Sequence, residues 1–261
     1  MNTHGYFITI EGIDGTGKST QIDSLLNGLL NQQRAIHLTK EPGDYNRGSS
    51  IGGKVRDILF KGPGTHALAP GVGDLLFLAD HIQNVHEIKQ HLAAGHIVIS
   101  DRYADSQFAY SAHPSKKAPA WANKLFVEHY GIRPDLTILL VARGEKTYRA
   151  DHDATKSFAE TGRFYSEPVE DIRWALERAN ARRGAEAGKQ NGKAWNDVAA
   201  QWVIQNAYLT ALMHKDHVFF VNVYESSTPE EIHSLIMDEV NLRIAGHANV
   251  KQPALPFEQA A

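Results

Sequence analysis

No cysteine occurs anywhere in the chain, which excludes disulfides and thiolate metal sites together and fits a cytoplasmic protein. No stretch approaches the roughly 18 consecutive apolar residues that a membrane span needs. The N-terminus runs from Met1 into the short apolar stretch Tyr6–Ile10 without a basic segment or a long apolar one, so no signal peptide is expected. Charge of one sign is lacking too: 27 Lys and Arg stand against 30 Asp and Glu, a balance that argues against stable nucleic-acid binding. The 14 histidines form no metal motif. No H-E-x-x-H occurs, and His81, His86 and His91, five apart, are each turned about 140° from the last on a helix. No internal repeat is present. What is there is 42% hydrophobic and 22% charged over 261 residues, enough to bury a core without staples.

Short apolar runs alternate with longer segments of helical period, the pattern of βαβ units around a parallel sheet. Strands are expected at Tyr6–Glu11, Ala35–Lys40, His96–Asp101, Asp135–Val141 and His217–Val223. Three of these are apolar and β-branched with little alternation, as in strands buried on both faces. Ile22, Leu25, Leu26, Leu29 and Leu30 mark an amphipathic first helix. A second helix spans about Asp74–Ala94, closed by Gly95, and a last one follows the cap signal Ser227-Thr228-Pro229-Glu230-Glu231 and ends near Ala245. Gly62–Gly73, rich in Gly and Pro, reads as a surface loop. Arg173–Lys193 carries six Lys or Arg among alanines and glycines and reads as a mobile, partly helical basic insertion. The expectation is one domain over residues 1–245, with a lid and the insertion at about 143–193 and a disordered tail from 246 to 261.

The strongest local signal is Gly12-Ile13-Asp14-Gly15-Thr16-Gly17-Lys18-Ser19, followed by Thr20, which matches G-x-x-x-x-G-K-[ST] between a strand and a helix. Such a loop turns successive backbone N–H groups toward phosphate oxygens, and the helix N-terminus adds partial positive charge. Lys18 can reach the β- and γ-phosphates of ATP, and the Ser19 hydroxyl can ligate Mg²⁺. A GTPase would need Asn-Lys-x-Asp, and Asn123-Lys124-Leu125-Phe126 lacks the acid. Asp14 inside the loop points instead to a small-molecule kinase. A second strand ends in Asp101-Arg102-Tyr103, on the same edge of a parallel sheet as the phosphate loop. Asp101 there is suited to Mg²⁺ and Arg102 to clamping a phosphate.

Asp101-Arg102-Tyr103-x-x-Ser106-x-x-Ala109-Tyr110 resembles the D-R-Y-x-x-S-x-x-A-Y signature of thymidylate kinases. Glu11-Gly12 through Thr20-Gln21, Lys40-Glu41-Pro42-Gly43, Val55-Arg56-Asp57-Ile58-Leu59, Leu76-Phe77-x-x-Asp80 and Arg133-Pro134-Asp135-Leu136-Thr137 are similar to further segments of that family in the same order. The resemblance implies a nucleoside monophosphate kinase fold, with a five-stranded parallel sheet flanked by helices and a mobile lid. It implies that Phe77 stacks on the nucleobase, that Arg102 and Arg56 hold the acceptor phosphate, that Asp14 works near the deoxyribose 3′-hydroxyl, and that Tyr110 crowds the sugar 2′-position. Glu41 and Ser106 fall in the acceptor segments of the same motifs. With no basic residue at the variable loop positions, catalysis would rely on lid arginines, which Arg149 and Arg163 resemble. The chain departs from the family at the base edge, with His81 where an arginine is usual, Gln107 in place of a small residue, and Ser111 where glutamine is common.

The expected activity is phosphoryl transfer from ATP, with Mg²⁺, to dTMP. A kinase for another or modified pyrimidine deoxynucleoside monophosphate, and a P-loop ATP-binding switch protein, stand as alternatives. The resemblance also implies a homodimer. Gln252-Pro253-Ala254-Leu255-Pro256-Phe257 resembles the Q-x-x-L-x-F peptides that bind sliding clamps.

Overall fold

Seven consecutive residues of the first strand are buried, and the two strands that flank it are buried throughout. In the computed structural model, which describes residues 5–43, 45, 51–61, 68–69, 71–112, 120–144, 172–186 and 197–249, these form the centre of one parallel sheet. Strands β1 (Tyr6–Gly12), β2 (Ile36–Lys40), β3 (Ile97–Asp101), β4 (Leu136–Ala142) and β5 (Val218–Val223) lie in the order β2-β3-β1-β4-β5. All four pairings are parallel. The unalternating apolar runs became central strands because helices cover both faces, while β2 and β5 at the edges are only partly buried. Register places Lys40 beside Asp101 and Asp101 beside Ile10, so the strand ends carrying charge share one edge.

Among the described residues the helices are α1 (Lys18–Asn31), α2 (Ile51–Lys61), α3 (Val72–Ala93), α4 (Ala104–Ser111), α5 (Ala120–Glu128), α6 (Arg173–Glu186), α7 (Val198–Leu212) and α8 (Pro229–Asn249). The α1 stripe is narrower than its spacing suggests: Ile22, Leu25 and Leu29 are buried, Leu26 is half-buried and Leu30 is exposed. The expected cap of α8 is present as a reciprocal pair. Thr228 N–H donates to the Glu231 carboxylate at 2.9 Å, and Glu231 N–H donates to the Thr228 hydroxyl at 3.2 Å. The helix then runs to Asn249, so residues 246–249 of the expected disordered tail are helical. Gly73 likewise belongs to α3 rather than to a loop. The clamp-like motif at 252–257 and both candidate lid arginines, Arg149 and Arg163, lie outside the described residues. No described helix is long and apolar enough to cross a membrane.

The first half of the basic insertion is helical, as expected, and it is packed against the sheet's helices and loops. Residues 173–186 form α6, and Trp174, Ala175, Leu176 and Ala179 are buried. The Trp174 indole N–H donates to the Arg143 carbonyl at 3.1 Å, just beyond β4. Arg178 lies over the Trp174 ring and donates to the Glu225 carbonyl beyond β5. Charges dominate the composition of this segment, but Trp174, Ala175, Leu176 and Ala179 in its first two turns are packed against the rest of the fold. Trp174→Ala is expected to lower unfolding free energy by about 3 kcal/mol, measured by denaturant titration; a change within about 0.5 kcal/mol would mean a solvated helix.

Candidate active site

The phosphate loop leaves β1 through Gly12 at φ 136, where a Cβ would sit 2.5 Å from the Leu140 carbonyl oxygen of β4. Any side chain there would push β1 and β4 apart. Gly15, at φ 87, has no room for a Cβ either, because the Ala175 carbonyl of α6 closes on it. The Thr16 hydroxyl donates to the Ile13 carbonyl at 2.9 Å and Asp14 N–H donates to the Gln201 side chain at 3.1 Å, which hold the loop's curve. Gly17, at φ 93, starts α1, and Ser19 and Thr20 are exposed on its first turn.

Lys18 is folded back into its own loop, donating to the Gly12 carbonyl at 3.0 Å and the Ile13 carbonyl at 2.7 Å. Burial, and then repulsion from Arg102, bring its ammonium down to about 7. Two carbonyls thus stand in for phosphate oxygens, the role that the residue's charge suits.

Arg102 follows β3 with φ 71, a left-handed conformation uncommon for a residue other than glycine. Its guanidinium donates to Asp14 at 2.7 Å and to the Gly12 carbonyl at 3.1 Å, and it lies over the ring of Tyr110, whose hydroxyl reaches Asp14 at 3.4 Å. Asp14, Arg102 and Tyr110 therefore meet at the mouth of β1 and β3. Asp101 beside them is bound by Lys40 at 2.5 Å and by the Tyr45 hydroxyl at 3.4 Å. Burial alone would raise its pKa, but Lys40, Arg102 and Lys18 hold it below the usual carboxylate range. Arg56 on α2 donates to the Pro42 carbonyl at 2.9 Å and covers Phe60. Phe77 is half-buried on α3, and Gln107 and Ser111 are half-buried on α4, their side chains 3.5 Å apart.

Three expected substrate contacts are turned inward: His81, Glu41 and Ser106. His81 is 1% exposed, and neither ring nitrogen faces a base. Nδ1 lies 3.0 Å from both Glu41 oxygens and Nε2 lies 3.0 Å from the Tyr130 carbonyl. The Tyr130 carbonyl and an ionised Glu41 carboxylate both accept, an arrangement that favours a proton on each ring nitrogen. Burial opposes that charge, but the Glu41 carboxylate prevails and raises the pKa above its ordinary value. Glu41 also accepts from Asn84 at 2.7 Å, and so belongs to this buried pair rather than to an open pocket. The Ser106 hydroxyl is likewise committed, at 2.6 Å from both Glu11 and Tyr208. His86 meets Gln90 and His91 meets His96, so the three histidines spaced by five serve different partners.

The fold brings three further residues to this edge: Glu11, which has a motif position but no role implied by it, and Gln201 and Tyr208 of α7. The last two have no local signal, since only the packing of α7 against α4 carries them there.

A family model described as thymidylate kinase matches residues 10–182. A thymidylate kinase of Bifidobacterium longum is 38% identical over 141 residues, 52% of this chain and 66% of that protein. One from Oleidesulfovibrio alaskensis is 43% identical over 135 residues, 51% of this chain and 61% of that protein. These matches span less than two thirds of either relative. A thymidylate kinase of Maridesulfovibrio salexigens matches nearly end to end, 34% identical over 247 residues, 92% of this chain and 97% of that protein.

The His81–Glu41 pair yields a pH prediction with a definite sign. A histidine whose folded pKa is raised contributes stability in full below its unfolded value, ordinarily 6.5, and loses it as pH rises through the folded value. The groups facing the ring are Glu41, Asp80, Tyr103, Phe126 and the Tyr130 carbonyl. The difference in unfolding free energy between wild type and His81→Gln is expected to be largest on the acid side and to shrink with rising pH. A difference that does not vary with pH would show the ring to be neutral.

Proposed function

The chain belongs to the thymidylate kinase family, and from that membership and the geometry of its site we propose that it transfers the γ-phosphoryl group of ATP to dTMP, giving ADP and dTDP. The observation that carries the proposal is the direct contact of two phosphate-binding groups. Arg102, at the end of β3, is bonded to Gly12 and Asp14 of the loop that cradles the donor. An acceptor phosphate on Arg102 would lie against the γ-phosphate. Its oxygen forms the new bond to phosphorus as the bond to the ADP oxygen breaks. A phosphate acceptor is already largely dianionic and needs no strong base, so alignment and charge neutralisation do the work.

The residues present suit Mg²⁺. Ser19 offers an exposed hydroxyl at the start of α1 and Asp101 a carboxylate kept ionised, both hard oxygen donors. The metal would neutralise charge on the transferring phosphate. Arg56 and Phe77 complete the acceptor side in this reading, as phosphate holder and stacking ring. With His81 engaged by Glu41 and Tyr130, the base edge falls to Gln107 and Ser111.

Leu75 and Ile82, seven apart on α3, and Trp121 on α5 are large apolar side chains left exposed on helices that pack together. They supply the surface for a homodimer. Sedimentation equilibrium is expected to give twice the chain mass, and Ile82→Glu to give a monomer; a wild-type monomer at micromolar concentration would overturn the assignment.

The activity itself is tested with a panel of dTMP, dUMP, dCMP and 5-hydroxymethyl-dUMP, following ADP formation. dTMP is expected to give the highest kcat/KM, and Lys18→Ala to lower turnover by about a hundredfold or more. ADP formation that no nucleoside monophosphate stimulates would leave a P-loop protein without a small acceptor.

A further inference from the structure

Glu11 is the last side chain of β1 before the phosphate loop and is wholly buried. One carboxyl oxygen, Oε1, accepts from Tyr103 N–H at 2.8 Å. That bond and the Ser100 hydroxyl, donating to the Arg102 carbonyl at 2.6 Å, hold the peptide unit that follows the left-handed Arg102, while Arg102 N–H on the other side donates to the Ile10 carbonyl at 3.1 Å. The other oxygen, Oε2, forms a triangle with two hydroxyls: 2.6 Å to Ser106, 2.9 Å to Tyr208, and 2.6 Å between Ser106 and Tyr208. The Arg102 guanidinium donates to both hydroxyl oxygens at 3.3 Å.

Three oxygens at mutual hydrogen-bonding distance need three protons, one for each edge. Ser106 and Tyr208 bring one apiece. With an ionised Glu11, one edge would press two oxygens together with no hydrogen between them. We propose that Glu11 is held as a neutral carboxylic acid and acts as a positioning residue, its proton closing the hydroxyl ring that fixes Arg102 without neutralising it. An ionised Glu11 would give Arg102 a second carboxylate besides Asp14 and leave less positive charge for an incoming phosphate. This inference rests on the reading of Arg102 as the holder of the acceptor phosphate.

The surroundings agree with a neutral acid. Burial, and then the Asp105 carboxylate, raise Glu11 to about 8, and Arg102, Ser106 and Tyr208 oppose that rise without cancelling it. Asp105 is itself raised to about 6 by burial, with Lys215 as its counter-charge. Lys18 of α1 and the phenols of Tyr110 and Tyr130 also face this carboxyl. Lys18, bonded to loop carbonyls and brought down to about 7, leaves Glu11 little cationic support.

Glutamine mimics the neutral acid: its carbonyl can accept from Tyr103 N–H and its amide can donate to both hydroxyls. Wild type, Glu11→Gln, Glu11→Ala and Tyr208→Phe are compared for kcat and for KM of dTMP and ATP over about pH 6 to 9. Glu11→Gln is expected to recover most of what Glu11→Ala loses, and to lack the alkaline fall in kcat/KM for dTMP that wild type shows near about 8. Should Glu11→Ala not fold, Tyr208→Phe, which removes one hydroxyl and no charge, is expected to lose about tenfold in kcat/KM for dTMP with KM for ATP unchanged. Infrared difference spectra of wild type against Glu11→Gln should show the carbonyl stretch of a protonated carboxyl. Thermal stability gives the same sign: wild type should lose ground to Glu11→Gln as pH rises from 4.5 toward 8. Glu11→Gln as inactive as Glu11→Ala, or no protonated-carboxyl band, would overturn the inference. A wild type that phosphorylates no nucleoside monophosphate would overturn the kinase reading instead, and the infrared band would still decide the state of Glu11.

Discussion

The guanidinium of Arg102 lies beneath the mouth of the sheet, and a cation withdrawn from water must be surrounded by acceptors or it cannot stay there. Its acceptors come from four places in the chain: the Gly12 carbonyl at the end of β1, the Asp14 carboxylate in the phosphate loop, the Ser106 hydroxyl on α4 and the Tyr208 hydroxyl on α7. Each of these elements is positioned by the demand of one side chain. The backbone is held as well: Arg102 N–H donates to the Ile10 carbonyl, and the peptide that follows the left-handed Arg102 is bonded at both its carbonyl and the Tyr103 N–H. Donor loop and acceptor clamp are therefore hydrogen-bonded to each other.

What could be read from the sequence is what local chemistry decides. The central strands are legible because a strand covered on both faces must be apolar throughout, and the observed ends lie within one residue of those expected. The phosphate loop is legible because its glycines are forced, by φ at Gly12 and by the approach of the Leu140 carbonyl. The α8 cap is legible because Thr228 and Glu231 satisfy each other's backbone donors. Partnerships that span the chain are not legible in this way. Nothing around Tyr208 announces that its hydroxyl reaches Glu11, nearly two hundred residues earlier, because that contact is set by how α7 packs on α4. The helix in the first half of the basic insertion is legible, but its packing is not, because it rests on one tryptophan, one leucine and small alanines, a weak signal among many charges. His81 misled because a motif position names a place and not a rotamer. A shorter side chain than arginine finds Glu41 and the Tyr130 carbonyl within reach and turns to them.

The same inward turn has a consequence for how the site treats charge. Glu41 would otherwise add a buried anion on the acceptor side, facing a substrate that is itself anionic. When His81 is protonated, the pair adds none. Asp101 is offset by Lys40 and Asp14 by Arg102. A neutral Glu11 withholds a further negative charge. The ligand-free mouth is thus close to balanced among these pairs, with Lys18 as a cation whose charge is weakened by burial and by Arg102. Polyphosphate in the loop would reverse that weakening, since opposite charge within a few ångström favours the charged form. The ammonium would then exchange two loop carbonyls for phosphate oxygens without leaving its place at the start of α1. A site arranged this way does not hold a strong positive potential in wait for any anion. It develops its charge when phosphate arrives at the position where the backbone N–H groups, Lys18 and Arg102 converge, which is the condition for discriminating a positioned polyphosphate from a passing one.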